Sequence, residues 1–389
     1  MDYDKYINPV ARDIKPSGIR KFFDISATMD DVISLGVGEP DFPTPWHIRM
    51  SGINSLEEGK TRYTANRGSV ELRREIAVFM KRKYGLSYDP EQEVLITVGG
   101  SEAIDIAVRA LVQSGDEVLI PQPSFVCYEP IVSMAGGTPV TIDLVADNGF
   151  VLTAKQIEEK ITPQTKVLIL PYPGNPTGAI MTKEQLEAIK DVIIKNDLMV
   201  ISDEIYAELT YNEKGHVSVA SIDGLQERTV VVSGFSKTYS MTGWRLGFAC
   251  APKEILQIMT KIHQFAIMCA PTTAQYAAVE ALKNGDDDIF KMKQEYNARR
   301  RLIVNGFNKM GLTCFEPLGA FYIFPCIKST GMSSDEFCEK LLYSKKVAVV
   351  PGNAFGECGE GFVRASYCYS VEHIKEALKR IEEFLSENK

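Results

Sequence analysis

Lys237 and Arg245 stand eight positions apart in SGFSKTYSMTGWRLGF, the stretch from Ser233 to Phe248. The lysine offers an amine that can act as nucleophile or proton carrier. The arginine offers a planar cation suited to an oxyanion. Upstream, Gly99-Gly100-Ser101-Glu102 follows the apolar run VLITV and opens a helical pattern. Two glycines let the backbone approach a ligand closely, and first-turn N–H groups with the positive dipole end favour a phosphate. The turn Pro171–Gly178 carries an amide at Asn175. Asp203 ends the run LMVISD, with Tyr206 three positions on. A carboxylate after LMVIS is costly to bury unless a cation meets it. Each feature also has a plainer reading: a surface loop with two solvated cations, an N-cap at Ser101, Asn-Pro punctuation, an N-cap at Asp203.

These residues need a scaffold, and the hydrophobic pattern supplies one. Short apolar, β-rich runs are expected as strands at Val94–Val98, Glu117–Ile120, Thr138–Leu144, Lys166–Leu170, Leu198–Ser202, Thr229–Ser233 and Arg245–Ala251. Amphipathic helices are expected between several of them, at Glu102–Gln113 and Lys183–Lys195. The second carries a capping box, Thr182 with Gln185. Continuous apolar strands separated by helices predict an α/β fold whose mainly parallel sheet of seven strands is covered by helices. We place this large domain at 46–280. Beyond about residue 280 a long charged helix (Ile289–Met310) leads into GAFYIFP, VAVVPG and GFVRASY, with helices near Ser334–Ser344 and Val371–Ser386. Together with the first forty-five residues, 281–389 reads as a smaller α+β domain.

The composition limits the classes of function. With 389 residues, 45% of them hydrophobic, the chain can build a large core. Acidic residues outnumber basic ones, 51 to 43, without a basic stripe, which argues against nucleic acid as the partner. The short acidic run Asp286–Asp288 reads as a helix start. The polar N-terminus MDYDKYINPV lacks the apolar core of a signal peptide, and no run is long and apolar enough to span a bilayer. Eight cysteines scattered without a CxxC pair suggest reduced thiols in the cytoplasm. Four histidines and no HExxH motif give no reason to expect a metal. LGVGEPD holds a Gly-x-Gly, yet Asp41 stands where a dinucleotide fingerprint needs its third glycine, which sets aside a nicotinamide enzyme.

Ligands of open α/β sheets bind beyond the carboxyl ends of the strands, where this chain collects an anion cradle, an amide, a carboxylate, a phenol, an amine and an arginine. That set can hold a phosphorylated aromatic aldehyde. The Lys237–Gly243–Arg245 spacing, Asn175-Pro176-Thr177-Gly178 and Asp203-Glu204-Ile205-Tyr206, in this order, resemble the class I/II aminotransferases of the aspartate-aminotransferase fold, which use pyridoxal 5'-phosphate. The likeness runs from about Ile33 to Tyr369.

The resemblance implies roles position by position. Lys237 would attach the cofactor and then move the proton at the substrate Cα, its pKa lowered by Arg245 and the cofactor's charge. Asp203 would pair with the ring nitrogen, and Asn175 and Tyr206 with the ring oxygen. Phe125 would stack on the ring. Gly100, Ser101 and Glu102 would hold the phosphate together with Arg245. Gly234 stands where the family often has a phosphate-binding serine, leaving Ser233 or Ser236 as its substitute. Tyr63, in RYTANRG, would reach the phosphate of a neighbouring subunit, which implies a homodimer. Arg364, with Gly38 and Asn175, would grip the substrate's α-carboxylate. The reaction implied is transfer of an amino group from apolar, aromatic or a broad range of amino acids to a 2-oxo acid, 2-oxoglutarate foremost. The alternatives are aspartate or N-acyl-diaminopimelate as donor, or carbon–sulfur β-elimination on the same scaffold. KPSGIRKFFDI (Lys15–Ile25) suits the aromatic or broad branch, with Arg20 a candidate at the substrate mouth.

Overall fold

A computed structural model describes residues 1, 3–16, 18–19 and 29–388. The first strands are β1 (Ile33–Ser34), β2 (Val94–Thr97), β3 (Glu117–Gln122) and β4 (Thr138–Asp143). Next come β5 (Thr165–Leu170), β6 (Met199–Asp203), β7 (Thr229–Gly234) and β8 (Gly247–Cys250). The last are β9 (Tyr322–Ile323), β10 (Val347–Ala348), β11 (Val350–Pro351) and β12 (Val363–Ser366). Seven of them form one sheet in the order β2-β8-β7-β6-β5-β3-β4. The apolar runs behave as their composition dictates. β2 and β8 are buried throughout, as are the last four residues of both β5 and β6, because helices cover both faces.

Strand direction decides what reaches the ligand edge. The steps β4-β3-β5-β6-β7 are all parallel. β8 runs antiparallel to both β7 and β2. Two reversals restore the direction, so β2 ends at the same edge as β5, β6 and β7. At that edge β8 begins rather than ends, pairing Gly247 with Thr97 and with Gly234. The residues just before β8 therefore lie among the carboxyl ends of its neighbours.

The helices follow local rules. Lys183–Lys195 is observed as expected, with both bonds of its capping box: Gln185 N–H donates to Thr182 Oγ1 at 3.3 Å, and Thr182 N–H to Gln185 Oε1 at 2.8 Å. The helix after β2 starts at Gly100 and ends at Leu111, earlier at both ends than the expected Glu102–Gln113, because the Gly-Gly pair already begins the first turn. It buries Ala103, Ile104, Ile106, Ala107 and Val108. The long charged helix begins at Asp286, so its three aspartates occupy the first turn and complement the dipole.

A second layer faces the ligand edge. β12 lies between β11 and β9, antiparallel to both, and β1 pairs in parallel with β10. Helices Asp286–Lys309, Ser334–Lys345 and Val371–Glu387 pack there around Tyr296, Phe307, Phe321, Leu341 and Phe384. Among the described residues no helix is long and apolar enough to cross a membrane.

Candidate active site

A cavity of about 290 Å³ opens between the carboxyl edge of the large sheet and the strands β9 and β12. Lys237, Asp203, Tyr206, Asn175, Arg245, Arg364, Phe125, Gly100, Ser101 and Gly38 all line it. They come from separate parts of the chain, and the sheet's parallel order brings them together.

The lysine rides the one-turn helix Phe235–Thr238, which follows β7 directly. Its Nζ donates to the carbonyl of Gly38 at 2.7 Å and lies 5.6 Å from the Phe321 ring centroid. Burial pushes its pKa down to about 8; Arg364 and Arg245 act in the same direction, while Cys368 and Glu39 oppose them. This corrects the expectation drawn from the sequence, in which Arg245 was a leading cause. Removal from water is the larger one.

Asp203 ends β6 and is only 7% exposed. Its Oδ2 accepts a hydrogen bond from Tyr128 Oη at 2.7 Å and its Oδ1 one from Ile205 N–H at 3.2 Å. Burial raises its pKa, the two hydrogen bonds draw it back, and Glu204 adds to the rise. No helix follows Asp203, since 205–208 form a turn. The N-cap alternative therefore fails. Tyr206 shares a 2.9 Å contact, hydroxyl to hydroxyl, with Tyr322.

Arg364 projects from β12 and is 3% exposed. Its Nη1 donates to Asn175 Oδ1 at 2.8 Å, its Nη2 to the carbonyl of Gly36, and its guanidinium sits 4.4 Å from the Tyr322 ring centroid. Arg245 precedes β8 in the left-handed region at φ 54° and donates to the carbonyl of Thr242 at 3.0 Å. Gly99 sits at φ 80°, in the left-handed region that favours glycine, and Arg245 Nη2 lies 2.9 Å from where a Cβ would stand.

The fit to pyridoxal phosphate can be tested on these atoms. Asp203 is a buried carboxylate with no ion pair among the described residues, and its burial calls for a cation such as a protonated ring nitrogen. Arg364 Nε is buried without a hydrogen-bond partner, so the guanidinium has a donor left over. Gly99 and Gly100, beside a guanidinium and a helix N-terminus, leave room for a phosphate. The residues fit the group.

Several expectations need refinement. The Glu102 side chain turns away from the cavity: its carboxylate accepts from Val98 N–H and from His263, leaving only its backbone to face a phosphate. Ser236 lines the cavity, whereas Ser233 Oγ donates to the carbonyl of Glu204 at 3.3 Å. Gly38 lines the cavity, and its carbonyl accepts from Lys237 Nζ at 2.7 Å. Tyr63 is 83% exposed and does not line the cavity within one chain. Arg20 lies outside the described residues. Sequence reasoning missed Tyr128 and Tyr322. The first sits three positions beyond Phe125 in PSFVCY, at the start of helix Tyr128–Met134. The second lies in GAFYIFP, next to the buried Phe321.

Comparisons with known proteins agree with this geometry. The family model for aminotransferase class I and II matches residues 30–381. YugH of Bacillus subtilis is 54% identical over 98% of each chain. The aspartate aminotransferase of Pyrococcus abyssi is 47% identical over 97% of each. Among solved structures, the aromatic aminotransferase of Pyrococcus horikoshii OT3 superposes with a TM-score of 0.91 at 44% identity, covering 95% of this chain and 99% of that one.

Proposed function

The chain belongs to the class I and II aminotransferases, a family that depends on pyridoxal phosphate, and from that premise we propose that it takes its amino group from apolar or aromatic donors over a broad range. The acceptor in this reading is a 2-oxo acid, 2-oxoglutarate foremost. The enzyme would work as a homodimer in the cytoplasm, on small molecules alone.

When bound, pyridoxal phosphate supplies an electron sink for the pair released at the substrate Cα. The chain's own residues would do the rest. Lys237, with an amine near pH 8 in its proton equilibrium, carries the proton to and from Cα. Asp203, oriented by Tyr128, keeps a proton on the ring nitrogen. Tyr206 and Asn175 donate to the ring oxygen, and Phe125 packs on the ring face. The backbone N–H groups of Gly100, Ser101 and Glu102 bind the phosphate, with Ser236 and Arg245 adding a hydroxyl and a guanidinium. Arg364 holds the α-carboxylate bidentately, as only a planar fork can. Tyr63, exposed on its own chain, would reach the phosphate of the other subunit.

One observation carries the substrate range. The cavity lining contains three cations among the described residues, Lys237, Arg245 and Arg364, and each is already committed to proton transfer, phosphate or α-carboxylate. An acidic donor side chain would need a fourth, and burying it without one costs several kcal/mol. The distal carboxylate of 2-oxoglutarate would be met by a movable cation, with Arg20 the candidate, or by a hydrogen-bond network in place of a charge. Ile19, Phe125, Pro171 and Pro173 on the cavity wall suit apolar groups instead. Discrimination among these should be shallow, about 1–3 kcal/mol per methylene.

Aspartate as donor remains the second reading, because the relative from Pyrococcus abyssi carries that name at 47% identity. Both are tested by kcat/KM for phenylalanine, tyrosine, leucine, alanine, aspartate and an N-acylated diaminopimelate, each with 2-oxoglutarate. Aromatic and apolar donors should lead in a graded series. Aspartate ahead by tenfold would reveal a distal cation, and the acylated diaminopimelate ahead would change the physiological assignment. Release of a thiol, ammonia and a 2-oxo acid from a cysteine thioether, faster than transamination, would point to β-elimination.

A further inference from the structure

Glu102 belongs to the first turn of the helix that would bind the phosphate, yet its side chain folds back on the loop it follows. One carboxylate oxygen accepts from the N–H of Val98, the residue before Gly99-Gly100, so the side chain closes the glycine loop into a ring. The other meets His263 Nδ1 at 2.6 Å, across 161 residues of sequence. A carboxylate only accepts, so the Nδ1 of the ring must be the donor. The His263 side chain is fully buried and its Nε2 has no hydrogen-bond partner. His263 rides helix Lys253–Ala266, which packs on helix Gly100–Leu111.

We propose that His263 is a positioning residue for the cofactor phosphate: by fixing the Glu102 carboxylate it holds the Val98–Ser101 loop with its N–H groups converged. It touches neither cofactor nor substrate. The proposal rests on the phosphate reading of this loop, in which the N–H groups of Gly100, Ser101 and Glu102 face the anion. Those donors bind well only if they are already converged, since ordering a glycine pair on binding costs affinity.

The test separates the phosphate from the ring. Full-length protein, freed of cofactor by dialysis, is titrated with pyridoxal 5'-phosphate and with pyridoxal, and binding is read by absorbance. The ratio of the two dissociation constants measures what the phosphate contributes. His263→Leu should shrink that ratio about tenfold, the size of a lost hydrogen bond to a charged group, with the pyridoxal constant unchanged. His263→Asn, which keeps a donor at the δ position, should restore most of it. If His263→Leu does not fold, Glu102→Ala takes its place with the same expected loss. An unchanged ratio in the leucine variant overturns the proposal, as does an equal weakening of both ligands, which would mean a general structural role. A wild-type protein that binds both ligands alike would overturn the phosphate reading itself, and the proposal with it.

Discussion

Tyr128 Oη donates to Asp203 Oδ2 at 2.7 Å, joining residues 75 positions apart in the wall of the cavity. The bond gives a buried carboxylate one fixed orientation and partly offsets the rise in pKa that burial imposes. Tyr128→Phe should leave the fold intact, move the acid limb of the pH–rate profile to higher pH, and lower kcat by about tenfold. Single-turnover rates across pH provide the measurement. An unmoved acid limb would show that Tyr128 serves packing alone.

Asp203 itself costs the cofactor-free chain stability. Its folded pKa lies above the ordinary carboxylate value, so above pH 3.8 the folded state holds more protons than the unfolded state, and stability falls as pH rises through that window. Asp203→Asn should therefore be at least as stable as wild type at neutral pH without cofactor, while proton abstraction slows by about a thousandfold or more. Thermal melts of the cofactor-free proteins, paired with single-turnover kinetics, check both halves. A variant with unchanged abstraction would remove Asp203 from the mechanism.

Lys237 has the opposite sign. Between about pH 8 and 10.5 the folded, cofactor-free chain binds fewer protons at this amine than the unfolded chain, so its contribution to stability rises with pH across the window. Amine-selective labelling of Lys237 should reach half its limiting rate near pH 8, and a midpoint near 10.5 would contradict the burial argument. Lys237→Ala should lose transamination by about a thousandfold or more. Near-wild-type turnover in that variant would sink the assignment.

Arg364 grips a group common to every amino acid substrate. Arg364→Lys should raise KM for all donors by a similar factor, about ten- to a hundredfold, because an ammonium cannot reproduce the two parallel bonds. The order of preference among donors should survive. A changed order would place Arg364 in side-chain selection.

Tyr63 is 83% exposed and does not line the cavity of its own chain, so the role proposed for it lies across a subunit boundary. Mixed dimers of Tyr63→Phe and Lys237→Ala chains contain one site with both residues intact. At limiting cofactor they should exceed the activity of either parent. Full activity of a verified monomer would contradict the shared site.

Local patterning made the strands and helices legible because it reflects forces that act within a few residues. Apolar runs such as VLIL and VVV must be buried on both faces, and Thr182 with Gln185 caps a helix wherever that segment sits. The ordered motifs carrying Lys237, Arg245, Asn175, Asp203 and Tyr206 pointed to the chemistry for the same reason, since each is a local device at a strand end. Strand termini came out a residue or two off, as Glu117–Gln122 shows, because pairing with neighbours sets where a strand stops.

The tertiary structure alone decided the contacts that tune those residues. Nothing near Asp203 in sequence announces Tyr128, and nothing near Glu102 announces His263. Ser236 rather than Ser233 lines the cavity because the chain leaves β7 at Gly234 and turns into Phe235–Thr238. The amine of Lys237 owes its lowered pKa chiefly to burial, a property of everything packed around it rather than of its neighbours in the chain. Even the position of Arg245 depends on direction, since it reaches the ligand edge because β8 runs against its neighbours. Sequence fixes what each segment prefers over a few residues. Burial and charge at the site are sums over segments brought together by the fold, and only the assembled chain sets them.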